Sequence, residues 1–426
     1  MKNILLYLFL VLLLYSCEKK AQIIIESQAS KIEFKNWYKF NAAIDKKLES
    51  DNQPWKYQIA LEDYANKGEF QKSQEIDDIS IQKQASIPFT REQIDSINAK
   101  YTAVDAAKYI IDQAKRNKIT IINEAHHNPR HRVFTVSLLK ELYDAGYTHL
   151  GLEALYNGEP GGTPLGNGRR LLDEKDSLLN EREYPIRKSG AYAEPQLGNL
   201  MRAALEIGFT IFSYEKTGVR SGNPRELGQA KNIQKVVDEN PAAKILIHCG
   251  YAHAYEGVGA FEPGGKAMAG QLKALTGINP LTINQVEYSE HSKPEYNAPL
   301  LNALNLENSS VLVDNSGNAL GFIQNDAFTD IAIIHPPTKY LNARPSWLFQ
   351  NGTENVEMDI SFLDIDFPAM ILAYKKGENI EQAIPTDILE VNDNTTSINL
   401  ALKPGNYTMV VVNTESDARK FEISVK

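Results

Sequence analysis

Short apolar runs alternate with amphipathic segments between residues 118 and 335, and this alternation constrains the fold more than any other feature of the chain. A run buried on both faces, followed by apolar residues at three- and four-residue spacing, is the unit of stacked βαβ crossovers. The runs fall at residues 119–122, 149–152, 210–213, 244–247 and 281–286, and the helical patterns between them cover 133–145, 197–207, 226–238 and 266–275. The sequence therefore predicts an α/β domain over residues 101–337, a largely parallel sheet flanked by helices.

The flanking regions read differently. Residues 18–100 are polar, with aromatic residues such as Trp37, Tyr38, Phe40, Trp55, Tyr57 and Tyr64 at irregular helical spacing, which predicts a tether followed by a helical N-terminal region. Thr90 followed three residues later by Gln93 predicts a capped helix start, and residues 106–117 a further helix. Residues 338–426 hold five closely spaced strand-like runs, at 356–362, 369–375, 397–402, 407–412 and 420–425, with a Pro404-Gly405-Asn406 turn. That pattern predicts a small all-β sandwich, with no residues suggesting chemistry and a role in packing or in binding an unknown partner. The Gly-rich stretch 158–168 has no strand before it and no Walker lysine after it, so a lid or surface loop is expected.

Lys2 and the apolar residues 4–15 predict a signal peptide. Leu14-Tyr15-Ser16-Cys17 resembles the lipobox of bacterial lipoproteins, which implies residues 1–17 as a signal segment ending at a lipidated Cys17. The expected location is outside the cytoplasm, lipid-anchored to a bacterial membrane, at the outer membrane or cell surface. The chain has two cysteines, so a lipid on Cys17 leaves Cys249 without a disulfide partner, and burial must stabilise the fold. A net charge of −9 argues against a nucleic-acid partner.

Ligands of an open parallel sheet collect beyond the carboxyl ends of its strands. There the chain places Glu124, His126 and His127 after the first run, Glu153 after the second, Tyr214 and Glu215 after the third, and His248 to His253 after the fourth. Histidine with carboxylate suits either a divalent metal or proton transfer near neutral pH. His127 reads as surface and His149 as structural, while Glu215, His248 and His131, the last a helix-start residue, are secondary candidates. Cys249 reads as a small buried residue rather than a nucleophile.

The segments Ile122-Asn123-Glu124-Ala125-His126, Gly151-Leu152-Glu153, Asn223-Pro224-Arg225-Glu226 and His248-Cys249-Gly250-Tyr251-Ala252-His253 resemble the superfamily of erythromycin esterase, TIKI, TraB and ChaN proteins. The resemblance covers residues 118–286 and marks Glu124, His126, Glu153, Arg225 and His253 as site residues. Asn123 departs from it, standing where glycine is usual.

The resemblance implies a hydrolase acting on an ester or peptide bond of a small-molecule or peptide substrate. His126 would serve as base on a water, Glu153 or Glu124 would orient it, and Arg225 with His253 would face the oxyanion. In a metal-assisted version, His126, His253 and Glu153 or Glu124 would bind a divalent ion. The alternative is a haem- or metal-binding lipoprotein of ChaN type without turnover, with a His, Tyr192, Tyr214 or Tyr251 as axial ligand to haem.

Overall fold

A computed structural model describes residues 22–153, 155, 176–187, 193–216, 218–219, 221–393 and 397–426. Cys17, Tyr192 and the Gly-rich stretch 158–168 lie outside the described residues. Among the described residues no helix is long and apolar enough to cross a membrane.

The chain opens with two short strands, β1 (Ile23–Ile25) and β2 (Ser30–Ile32), and three helices, α1 (Asn41–Ser50), α2 (Lys56–Asn66) and α3 (Phe70–Ser80). The helix α4 (Arg91–Lys100) begins at the expected capping box, in which Thr90 and Gln93 bond each other's backbone amides. After it come β3 (Tyr101–Asp105), α5 (Ala106–Ala114), β4 (Ile119–Glu124), α6 (Pro129–Asp144), β5 (Tyr147–Leu152), α7 (Asp176–Arg182), α8 (Pro195–Ile207) and β6 (Thr210–Ser213). They are followed by α9 (Asn223–Glu239), β7 (Lys244–Gly250), β8 (Glu256–Gly257), α10 (Met268–Thr276), β9 (Leu281–Asn284), α11 (Pro299–Ala303) and β10 (Ser310–Asp314). Strands β11 (Phe322–Gln324), β12 (Ala327–Thr329), β13 (Ile331–Ile334), β14 (Tyr340–Leu341) and β15 (Arg344–Pro345) lead to the last six. These are β16 (Glu354–Asp359), β17 (Ala369–Lys375), β18 (Asp387–Val391), β19 (Ser397–Leu402), β20 (Gly405–Asn413) and β21 (Ala418–Val425).

The architecture is mixed α/β. An eight-stranded sheet runs in the order β3-β10-β13-β9-β4-β7-β5-β6. From β13 to β6 every pairing is parallel, whereas β3 and β10 add an antiparallel edge that hydrophobic patterning did not reveal. Successive side chains of a strand point to opposite faces, and both faces are covered. Ile122, Leu150, Leu152 and Leu246 pack with Leu138, Leu139 and Leu142 of α6 and Leu197, Leu200 and Met201 of α8. On the other face Ile119, Ile121, Ile245 and Ile247 pack with Ile233 and Val237 of α9 and Met268 and Leu272 of α10.

This strand order locates the crevice. The chain leaves β4 through α6 toward β5, and leaves the adjacent β7 through α10 toward β9, so the two connections depart in opposite directions. Neighbouring strands whose connections diverge open a ligand crevice at their carboxyl ends. Glu124 and Gly250 are register partners there, and Leu152 is level with His248.

The termini require a correction. Strands β1 and β2 pair with β21 and extend β20, β17 and β18 into a six-stranded antiparallel sheet, so the N-terminal region is not purely helical and shares a sheet with the C-terminal region. Three residues are too few to show a period, and pairing them covers the otherwise open edge of β21. The two-stranded β16–β19 ladder shares a core with that sheet, Val356, Met358 and Leu400 meeting Ile371, Met409 and Phe421. Helices α1 to α3 have a small core of Ile44, Ala60, Tyr64 and Ile76, and Phe70 meets Trp347 edge-on with ring centroids 5.2 Å apart.

Candidate functional site

Four strand ends and the starts of three helices, α6, α8 and α9, build the crevice. Strand β4 is buried along its whole length and carries Glu124 at its carboxyl end, itself buried and paired with Arg132. Asn128 caps α6 by accepting from the Arg130 amide, with Pro129 in the first turn, so the chain turns sharply after His126 and His127. Glu194 caps α8, accepting from the amides of Gln196 and Leu197 at 2.8 Å each.

Around Glu124 the side chains form one network. Nδ1 of His126 donates to Glu124 Oε1 at 2.9 Å. Arg132 donates through Nη2 to Glu124 Oε1 (2.6 Å), through Nε to Oε2 (2.7 Å), and through Nη1 to Glu194 Oε2 (2.8 Å). Its Nη2 also donates to the His126 carbonyl at 2.9 Å. Burial pushes the Glu124 carboxyl up, but Arg132, His126 and His248 outweigh it and hold the group far below the usual carboxylate range. Glu194 has the opposite outcome: burial raises it despite Arg132. Glu124 is therefore a fixed anion and Arg132 its buried counter-charge.

A second network holds Glu153. Its Oε1 accepts from Arg225 Nη2 at 2.6 Å and its Oε2 from the Gly250 amide at 2.5 Å. Arg225 also donates to Glu215, through Nη2 at 2.5 Å and Nε at 3.1 Å, and its Nη1 lies 3.0 Å from His253 Nε2. His253 donates through Nδ1 to Glu226 Oε2 at 2.7 Å, and its Nε2 is 3.3 Å from Glu153 Oε1. Burial lowers His253, yet Glu153 and Glu226 outweigh it and lift the imidazole to about 9. Burial likewise opposes the ionised Glu153, and His253, His126 and Arg225 bring it well below the ordinary value. His253 and Arg225 are thus two cations held side by side by three carboxylates.

The remaining histidines sort themselves by surroundings. His131 accepts from the Ala125 amide at Nδ1 and contacts Ser289 Oγ at 3.0 Å, and burial drops it to about 3; it is a neutral structural residue. His248 is buried and lowered to about 4, chiefly by desolvation. Its Nε2 lies 3.0 Å from Glu124 Oε2 but out of line for hydrogen bonding, so neither ring nitrogen has a hydrogen-bond partner. His149 in β5 lies 3.0 Å from Thr148 Oγ1 and, among the described residues, makes no bond to either network.

His126 is the most open side chain of the two networks, with 32% exposed. It stands edge-on to the Tyr251 ring, centroids 5.1 Å apart. On its outer side a cleft of about 130 Å³ is walled by Gln58, Leu61 and Glu62 of α2 together with His127, Arg132 and Tyr251. On its inner side a narrow gap, with room for about one water molecule, is bounded by Glu124, Leu152, Glu153, His248 and Cys249. The N-terminal helix α2 is therefore a wall of the site, which the polar sequence of that region did not reveal.

Asn123, which stands where the resemblance has glycine, lies in β4, where its side chain accepts from the Gln285 amide at 2.7 Å and donates to the Tyr251 carbonyl at 2.8 Å; it fastens the loops after β9 and β7. Tyr251, directly after β7, has a positive φ of 43°. His253 Nε2 and Glu153 Oε1 are 3.3 Å apart, but among the described residues these two and His126 do not form a group of donors all within 4.8 Å of one another. Among the described residues the one group of three donors close enough for an ion is Asp77 and Asp78 of α3 with His291, ligand atoms within 4.8 Å of one another. This mostly buried cluster could coordinate a metal, and two adjacent acids in a polar helix gave no sign of it. Cys249 is buried and its thiol is pushed well above the ordinary value by desolvation, which leaves it unionised. The haem reading finds no support: Tyr214 is fully buried with its hydroxyl donating to the His248 carbonyl, and the Tyr251 hydroxyl contacts His127.

No family model and no curated protein matches the chain. Solved structures with partial similarity include the type III effector HopBA1, with 12% identity and a TM-score of 0.31, over 57% of this chain and 98% of that one. A structure described as bacterial protein toxins has 13% identity and a TM-score of 0.30, over 55% of this chain and 48% of that one. The third is RRSP, a MARTX toxin effector domain from Vibrio vulnificus CMCP6, with 15% identity and a TM-score of 0.27, over 50% of this chain and 44% of that one. The absence of any matching family model or curated protein corrects the membership inferred from the motifs: neither comparison places the chain among the erythromycin esterase, TIKI, TraB and ChaN proteins.

Proposed function

We propose that this chain is a hydrolase in which His126 activates a water molecule for attack on an ester or peptide bond. The observation that carries this reading is the 2.9 Å bond from His126 Nδ1 to Glu124 Oε1, on a histidine that also lines an open cleft. An ionised carboxylate only accepts, so Nδ1 carries the proton and Nε2 is left with the lone pair. A proton taken from water by Nε2 makes an imidazolium that Glu124 stabilises, and Arg132 keeps Glu124 ionised throughout.

Arg225 and His253 supply positive charge at the other side of the crevice, behind Glu153. Their role in this reading is to hold Glu153 and to bias the field toward a developing oxyanion, since each already spends its donors on carboxylates. Cys249 has no part in the reaction.

The test uses the purified full chain against ester and peptide panels, with and without a chelator. Turnover that persists in chelator and disappears in His126→Ala supports the reading. Turnover equal in the variant and the parent rejects it.

A further inference from the structure

The strongest feature that the hydrolytic reading leaves unused lies on the rim of the cleft. Asp77 and Asp78 project from α3, and His291 comes from the loop after β9, more than two hundred residues away in the chain. Asp78 Oδ1 is 2.6 Å from His291 Nδ1, with side-chain exposures of 4% and 20%. A second imidazole, His127, places Nε2 3.6 Å from Asp77 Oδ2, too far for a good hydrogen bond, with exposures of 12% and 20%. Four donor groups from three segments thus meet in a largely buried spot.

We infer that Asp77, Asp78 and His291, with His127 beside them, form a binding site for a first-row divalent cation. Three observations favour this over a plain ion-pair cluster. The donors of Asp77, Asp78 and His291 lie within 4.8 Å of one another, a spread that an ion about 2.1 Å from each would close with small movements. Mixed imidazole and carboxylate donors suit Zn²⁺ and its neighbours, whereas Mg²⁺ and Ca²⁺ prefer oxygen alone. The donors are also oriented from behind: the Ser292 amide donates to Asp78 Oδ2 at 2.9 Å, and His127 Nδ1 faces the Tyr251 hydroxyl at 3.3 Å.

The ion acts as a clamp rather than as the centre of hydrolysis. Helix α3 is otherwise tied to the α/β region by few polar contacts near here, among them Ser73 Oγ to the His127 carbonyl (3.1 Å) and Gln74 to the Glu290 carbonyl (2.9 Å). A cation shared by α3, the loop after β4 and the loop after β9 fixes His127 next to His126, and Tyr251 through His127. Metal occupancy therefore sets the shape of the cleft mouth without touching the reacting atoms.

The experiment strips the full chain with a chelator and titrates it with Zn²⁺ and separately with Mg²⁺ by calorimetry, following thermal stability in parallel. The expected result is one Zn²⁺ per chain, bound much more tightly than Mg²⁺, with a raised Tm. Asp77→Asn and His291→Gln, each checked for native circular dichroism, are expected to weaken Zn²⁺ roughly tenfold or more and to abolish the Tm shift. Glu153→Gln is expected to bind as the parent does. Absence of Zn²⁺ binding overturns the inference, as does binding that survives Asp77→Asn and His291→Gln but is lost in Glu153→Gln. Neither outcome bears on whether His126 is the base.

Discussion

Gly250 lies directly under the ring of His126: a Cβ built on Gly250 would stand 2.5 Å from His126 Nε2 and 3.1 Å from Glu153 Oε2. The backbone of β7 must come this close because Gly250 also donates its amide to Glu153. One missing methyl group thus allows the base, the second carboxylate and the strand end to share a small space. Gly250→Ala is expected to displace His126 and to lower hydrolysis far more than stability, which should fall by about 1–3 kcal/mol. Urea denaturation beside an activity assay separates the two effects.

Arg132 is buried between two carboxylates, Glu124 and Glu194, and is the counter-charge for both. Removing one partner of such a cluster leaves uncompensated buried charge, which costs about 3–5 kcal/mol. Arg132→Met should therefore be strongly destabilised in denaturant titration, and activity should fall because the raised Glu124 pKa weakens its hold on His126. An Arg132→Met chain as stable as the parent would contradict the role of Arg132 as counter-charge to the two carboxylates.

Stability should peak close to neutral pH and fall on both sides. His253 is raised to about 9, so its contribution is complete below its unfolded value near 6.5 and is lost as pH rises through 9. His248 and His131 are lowered to about 4 and about 3, so theirs is complete above 6.5 and is lost as pH falls. Each such proton changes stability by about 1.4 kcal/mol per pH unit within its window. His253→Gln should flatten the alkaline arm and leave the acid arm unchanged, as read by Tm against pH.

Cys249→Ala should keep full hydrolytic activity, because the thiol is buried, unionised and turned toward the Ile122 carbonyl at 3.7 Å. A loss of stability of about 1 kcal/mol is expected from the small volume removed. Loss of activity without loss of fold would contradict the water-based reaction.

Much of the site was legible because strand ends are marked by a switch from apolar to polar residues. Glu124, Glu153, Glu215 and the His248–His253 segment all follow apolar runs, and the structure gathers them at one edge of one sheet. Arg132, Glu194 and Glu226 were not foreseen. Arg132 sits in a helix whose solvent face would ordinarily hold it, and only the tertiary positions of Glu124 and Glu194 turn it inward. The sequence Glu194-Pro195 carried the one available signal, a capping acid before a helix-starting proline. The pairing of β1 and β2 with β21 joins residues nearly four hundred positions apart, and no local pattern encodes that. Helix α2 as a cleft wall was hidden for the same reason.

The central claim is that the imidazole of His126 is the base, and chemical rescue tests it most directly. With an ester or peptide that the parent chain cleaves, His126→Gly should lose about 10²- to 10⁴-fold in turnover. Added imidazole should restore part of that rate in the variant while leaving the parent unaffected. A His126→Gly chain that hydrolyses the same substrate at the parental rate would contradict the account.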